Sequence, residues 1–373
     1  MLGQEPRLPY SRPPLSKEFL RGTMRNDQLT VRQRSTTADV EWRLGRQVTH
    51  VDVDTHHLTC DDGTSMRWKG LVFAPGVRSR RLHHDFSTRR HTIRTLDDAM
   101  KLAPLLADGV RVVVIGAGFI GCEVAATANQ KGCQVTVVDT LAVPLVRSLG
   151  TLVGREVRRR HEQRGVTFEL ECTVARFVDG ELLQQVLLDN GKVLLADVIV
   201  EAVGSNANTE PLEGQGLDLS DGVLCDEFLH PLRDDSPLLD MVAVGDVARF
   251  PLPPYSEVPI RFEHWSMPSD VSSHAAESLL AGLEGKTPSA RMSVVPTFWT
   301  DQFDIRIQSL GLPQLGLEDV RVLEGDIAGD VAVGFHRDQG LVGVVAIGMT
   351  RRLGEYRAAL MKSLGVDLGA AAT

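Results

Sequence analysis

The residues best suited to chemistry are the glycines of VVVIGAGFIGCEVA, where Gly116, Gly118 and Gly121 form a GxGxxG spacing between a β-branched run and an Ala-rich stretch. Each glycine has a task in that setting. Gly116 permits a tight turn, Gly118 lets a pyrophosphate approach the main chain, and Gly121 lets helix and strand pack closely. The helix that follows offers free N–H groups and a dipole that favours negative charge. Asp139 closes the next apolar run. A carboxylate there accepts both ribose hydroxyls and repels an added 2′-phosphate, so the pattern points to NADH. A glycine turn that only packs strand against helix is the alternative, and the neighbouring elements count against it.

Those elements follow from periodicity and breakers. RVVVIG, from Arg111, is the continuous apolar run of a parallel strand covered on both faces. Next the sequence predicts a helix over Phe119–Lys131, a strand over Gln134–Asp139, a helix over Leu152–Arg164 and a strand over Val166–Leu170. Such alternation makes a right-handed parallel sheet. A hairpin on Asn190-Gly191 leads to a buried strand ending at Gly204. Upstream, the Pro9 to Pro14 stretch resists both helix and central strand and feeds a short helix near Ser16 to Gly22. From Val40 to Ala74 short strands alternate with turns, Asp62-Gly63 among them, and return to a buried strand, LVFAPG. MVAVGD is a buried strand closing on Gly245-Asp246, followed by a helix over Ser269–Ala281. Beyond Pro288, alternating strands and a terminal helix over Leu353–Leu364 read as a separate α+β domain.

Composition narrows the function classes. At 373 residues the chain is long enough for two or three domains. Its hydrophobic fraction of 43% and charged fraction of 24% are those of a soluble globular protein. No apolar run suits a membrane span and the start has no apolar leader, so a cytoplasmic, reducing setting is expected, with no membrane partner. A net charge of -9 argues against nucleic acid as a partner, although Arg78, Arg80 and Arg81 form a local basic cluster. The five cysteines are scattered without a CxxC, which signals neither a metal site nor a disulfide framework.

Six separated segments, PYSRPPLSKEFL, APGVRSRRL, GAGFIGCE, AVGDVARFP, FEHW and PTFWTDQFD, fall in one order that resembles the oxygenase-coupled, putidaredoxin reductase-like ferredoxin reductases. These form part of the FAD-dependent pyridine nucleotide-disulfide oxidoreductase superfamily. The resemblance implies an α/β fold with two Rossmann-like dinucleotide-binding domains, the first incomplete at its N-terminus, plus a C-terminal α+β domain. It implies an FAD-binding domain from 1-105 and 215-287, an NAD-binding domain from 106-214, and an interface or dimerisation domain from 288-373. In such enzymes NADH gives a hydride to FAD, which yields single electrons to a ferredoxin-type iron–sulfur protein.

Carried over by motif, Lys17 lies near the reactive edge of the flavin, and Glu123 pairs with it and reaches the nicotinamide. Asp246 accepts a bond from the ribityl chain, while Glu263, Trp265 and Trp299 line the ring. Arg12, Pro14, Arg78 and Gly204 are further cofactor-binding positions. Without the resemblance, Lys17 and Glu123 read as surface charges and the tryptophans as core. The paired cysteines of dithiol relatives are lacking, which steers the reading from disulfide reduction toward a one-electron acceptor. The family's opening strand, glycine-rich turn and helix, which bind the ADP half of FAD, are also lacking, since Met1 to Glu5 resembles the end of the strand that follows them. Two rivals therefore stand beside the ferredoxin reductase: a non-catalytic remnant that binds NADH, and a same-fold reductase for rubredoxin, nitrite or monodehydroascorbate.

Overall fold

The computed structural model describes residues 1–82, 90–180, 183–288, 292 and 294–365. The chain groups into two compact units. One comprises Met1–Tyr10, Thr30–Arg78 and Asn206–Thr297; the other comprises Ser11–Leu29, Ser79–Ser205 and Phe298–Thr373.

The second unit carries the glycine motif. In chain order it contains helix α1 (Glu18–Arg21), strands β1 (Arg90–His91) and β2 (Arg111–Ile115), helix α2 (Phe119–Gln130), strand β3 (Gln134–Asp139), helix α3 (Val146–Glu162), and strands β4 (Thr167–Leu170) and β5 (Val198–Glu201). The five strands form one sheet in the order β4-β3-β2-β5-β1, with every pairing parallel. Strand β2 takes the centre because it can. Val112, Val113, Val114 and Ile115 are all buried, which only a strand covered on both faces allows. Each such side chain contributes about 1.5–3 kcal/mol on burial. An antiparallel hairpin turns at Asn190-Gly191 as the sequence predicts. Its Val186, Leu188 and Ala196 pack against Val113 and Ile115.

Helix α3 begins earlier than the expected Leu152. Gly150, at φ 72 and ψ 174, interrupts the helical path, so an extra turn from Val146 precedes the regular segment. Apolar periodicity marks only that regular segment. It places Leu149, Val153, Val157 and then His161 among the buried residues.

From Phe298 onward the C-terminal strands belong to this same unit. They are β6 (Thr297–Gln302), β7 (Ile305–Gly311), β8 (Asp319–Gly325), β9 (Val331–Arg337) and β10 (Gly340–Ile347). Their sheet order is β6-β7-β10-β9-β8, and helix α4 (Leu353–Ser363) follows. Alternation along β6 buries Phe298, Thr300 and Gln302 while Trp299 and Asp301 stay half-buried.

The first unit holds the expected antiparallel insert, three strands over Val48–Asp52, His57–Cys60 and Ser65–Arg67. In it Leu71–Phe73 pairs in parallel with Met241–Ala243, and Leu2–Gly3 with Arg43–Leu44. Its long helix runs over Met267–Leu283, two residues longer at each end than the sequence predicts, within the usual fraying of helix ends. No helix among the described residues is long and apolar enough to cross a membrane.

Candidate functional site

The glycine turn divides its labour as steric reasoning requires. Gly116 has φ 103, a backbone value that side chains resist. A Cβ on Gly116 would run into the Ala202 carbonyl oxygen, and one on Gly121 into the Gly116 carbonyl oxygen. A Cβ on Gly118 would meet nothing within 4 Å. The protein therefore needs the outer two glycines for its own packing, while the middle one leaves room for a ligand. Gly118 is also the N-cap of α2 and brings no side-chain cap, so the helix's first N–H groups have no acceptor from that residue.

Asp139 braces this turn. Its Oδ2 accepts the Ala117 N–H at 2.5 Å and its Oδ1 accepts the Leu141 N–H at 2.8 Å. A carboxylate has about four lone-pair positions, so capacity for ribose hydroxyls remains. Beneath the turn, burial pushes the Cys122 thiol well above its usual range, which leaves it inert.

A second constellation lies one helical turn along α2. Glu123 is 4% exposed, and Lys17 Nζ lies 2.9 Å from its Oε1. Thr300 Oγ1 donates to the same Oε1 at 2.7 Å. Ser16 Oγ donates to Oε2. The carboxylate thus meets three donors from two other segments. Glu123 uses one of the three ammonium donors of Lys17, a residue only 6% exposed. The rest form a buried donor set that suits an electron-rich acceptor such as the reactive edge of a flavin.

Helix α2 also fixes where Lys17 sits. Glu123, Thr127 and Lys131 lie at spacings of four on one stripe. Thr127 Oγ1 donates to the Ser16 carbonyl at 2.8 Å, and Lys131 Nζ donates to the carbonyls of Leu20 and Ala103, each at 3.1 Å. The segment bearing Lys17 is the turn Pro13–Ser16 followed by α1, which ends on Gly22 in the left-handed conformation. One helix therefore presents both the open glycine and the anchors of the lysine.

The other residues singled out in the sequence divide between the units. Arg12 precedes the Pro14-containing turn and donates to the Arg94 carbonyl at 2.9 Å. Gly204, at φ 100, lies beside the Arg80 guanidinium. Trp299 is half-buried with the Arg306 guanidinium 5.9 Å from its ring centre. These lie in the unit that contains Lys17. Asp246, Glu263, Trp265 and Arg78 lie in the other. There Arg78 is committed to Glu210 at 2.5 Å and to Asn208 at 2.9 Å. Asp246 follows the buried strand Met241–Ala243, Glu263 pairs with Arg261 at 2.8 Å, and Trp265 is 44% exposed.

Four residues of this cluster escape sequence reasoning: Ser16, His161, Thr300 and Gln302. Thr300 and Gln302 had a visible signal, since they are polar residues on the inward side of an alternating strand. Gln302 Nε2 donates to Thr300 Oγ1 at 3.2 Å, and His161 Nε2 lies 2.8 Å from Gln302 Oε1.

The chain is similar to known proteins over most of its length. Residues 1–268 match the family described as pyridine nucleotide-disulphide oxidoreductase, and residues 297–372 match the reductase C-terminal family. The chain is 33% identical to the anthranilate 1,2-dioxygenase system ferredoxin–NAD(+) reductase component of Burkholderia cepacia, over 96% of this chain and 86% of that protein. It is 32% identical to rhodocoxin reductase of Rhodococcus erythropolis, over 88% of this chain and 74% of that one. The covalent putidaredoxin reductase–putidaredoxin complex superposes with a TM-score of 0.87 at 27% identity, covering 97% of this chain and 86% of the other.

Proposed function

Because the chain belongs to the pyridine nucleotide-disulphide oxidoreductase family, we propose that it is an NADH-dependent ferredoxin reductase, passing electrons from NADH through FAD to a ferredoxin-type iron–sulfur protein. The observation that carries the reading is the buried Lys17–Glu123 pair, held by the same helix whose N-terminus opens at Gly118. A glycine turn alone would only bind a nucleotide.

Each residue then has a role. Gly118 and the first N–H groups of α2 receive the NADH pyrophosphate, Gly116 and Gly121 keep the turn tight, and Asp139 takes the ribose while bracing the Ala117 N–H. When bound, FAD supplies the conversion of a two-electron hydride into single electrons. Lys17 directs its remaining ammonium donors toward negative charge that develops at the acceptor, and Glu123 keeps that ammonium oriented and orders the nicotinamide side of the site. Trp299, Gly204, Arg12 and Pro14, in the unit that carries Lys17, address FAD. All five cysteines are buried free thiols, which suits a reducing cytoplasm and direct electron transfer without a dithiol relay.

The test is direct. Purified protein incubated with FAD and then freed of unbound flavin should stay yellow, reduce ferricyanide with NADH, and reduce a [2Fe–2S] ferredoxin in the same buffer. Colourless protein that binds NADH yet reduces neither acceptor would place the remnant reading ahead. Ferricyanide reduction without ferredoxin reduction would move the assignment to another acceptor.

A further inference from the structure

Behind Glu123 a row of polar side chains continues into the interior and ends at His161, which the reaction does not touch. Its direction follows from donor counting. The Glu123 carboxylate only accepts, so the single Thr300 proton is spent on Oε1 at 2.7 Å. Thr300 Oγ1 must then accept from Gln302, so the amide nitrogen faces it at 3.2 Å. With that orientation fixed, Gln302 Oε1 faces His161 at 2.8 Å and must itself accept, which requires the proton on His161 Nε2. A reversed amide would leave two acceptors competing for one hydroxyl proton. The other ring nitrogen, Nδ1, is buried and has no partner among the described residues. An unprotonated nitrogen tolerates that position better than a donor does. The rings of Phe303 and Phe168 stand edge-on to the imidazole, at 4.9 Å and 5.9 Å between centroids. His161 is fully buried.

We propose that His161, Gln302 and Thr300 form a one-way hydrogen-bond relay that orients Glu123, making His161 a positioning residue for the nicotinamide site through a neutral, Nε2-protonated ring. The proposal deepens the reductase reading and rests on it for its kinetic consequence. Burial holds the ring neutral by pushing His161 down to about 4. The relay ties α3 and β6 to the same carboxylate that α2 presents to Lys17. A small displacement of such a carboxylate costs rate more than nucleotide affinity, since binding is dominated by the glycine turn.

The experiment combines ring-nitrogen NMR with kinetics on the full chain. In protein labelled with ¹⁵N-histidine, the signal lost in His161→Phe identifies the ring. It should show the Nε2–H tautomer at pH 7. Thr300→Val, which removes the hydroxyl two links away, should shift that signal, and Thr300→Ser should return it. With FAD and NADH, Thr300→Val should slow flavin reduction about tenfold while the NADH Kd moves less than about twofold, and Thr300→Ser should recover the rate. An Nδ1–H or charged ring, a signal unmoved by Thr300→Val, or an unchanged rate in that variant would overturn the relay. If wild-type protein does not oxidise NADH at all, the reductase reading falls, and the tautomer measurements alone decide the relay.

Discussion

The glycine turn and the carboxylate cluster share helix α2 but are assembled in opposite ways. The turn is local. Apart from the Ala202 carbonyl that packs on Gly116, its parts lie between Ile115 and Leu141, and most of its work is done by backbone atoms whose positions the glycines release. The cluster around Glu123 draws on four stretches of chain: Ser16 and Lys17, Glu123 itself, His161, and Thr300 with Gln302. It works entirely through side chains. A site made of backbone tolerates change wherever the space is empty, whereas a site made of buried polar side chains depends on every partner.

Breaking the cluster at its charged pair should give the largest effect. Glu123→Leu leaves the Lys17 ammonium buried without its counter-ion, and about 3–5 kcal/mol of unfolding free energy should be lost in urea titrations. The double variant Lys17→Met with Glu123→Leu should recover much of that loss while abolishing flavin reduction. Equal instability of the single and double variants would show that the pair does not set the local stability.

Acid probes the far end of the same cluster. The native His161 titrates at about 4, below the roughly 6.5 of an unfolded histidine. The unfolded chain therefore takes up the proton first as pH falls. The stability contribution of the neutral ring is complete above about pH 6.5 and lost progressively toward pH 4, by an amount on the order of 3 kcal/mol. His161→Phe should flatten that part of the stability–pH curve measured by urea denaturation. An unaltered curve would mean that other groups carry the acid sensitivity.

The smallest effects sharpen the contrast within the turn itself. Gly121→Ala, which drives a Cβ into the Gly116 carbonyl, should cost about 1–3 kcal/mol in the same titration. Gly118→Ala has open space around the added carbon and should leave stability within about 0.5 kcal/mol. It should nevertheless weaken NADH binding by about tenfold in calorimetry, because the methyl group takes the room meant for the pyrophosphate. Loss of stability in both, or retained affinity in Gly118→Ala, would erase the distinction between the protein's glycines and the ligand's.

The same contrast explains how far the sequence could be read. Strand, turn, helix and acidic terminus lie consecutively around Gly116, so propensity and spacing suffice to place them. Lys17 and Glu123 are far apart in sequence, and only the motif resemblance connected them. His161 had a local sign, since it extends the buried Leu149, Val153 and Val157 stripe by one more step of four. A histidine at the end of such a stripe invites a search for its polar partner. That partner, Gln302, lies on a strand with no sequence link to α3, so composition and periodicity could not supply it. Gly150 illustrates the limit at element ends. Its left-handed backbone separates an initial turn from the helix proper, and apolar periodicity does not register a turn that short.

The Glu123, Thr127 and Lys131 stripe makes α2 a measuring rod for the lysine-bearing segment. Adding or deleting one residue between those marks would swing the later ones by about 100° around the axis, detaching the Ser16–Leu20 segment even if every named side chain survived. Insertions are accommodated far more readily in surface loops. In this region the count of residues, as much as their identity, is what function can select.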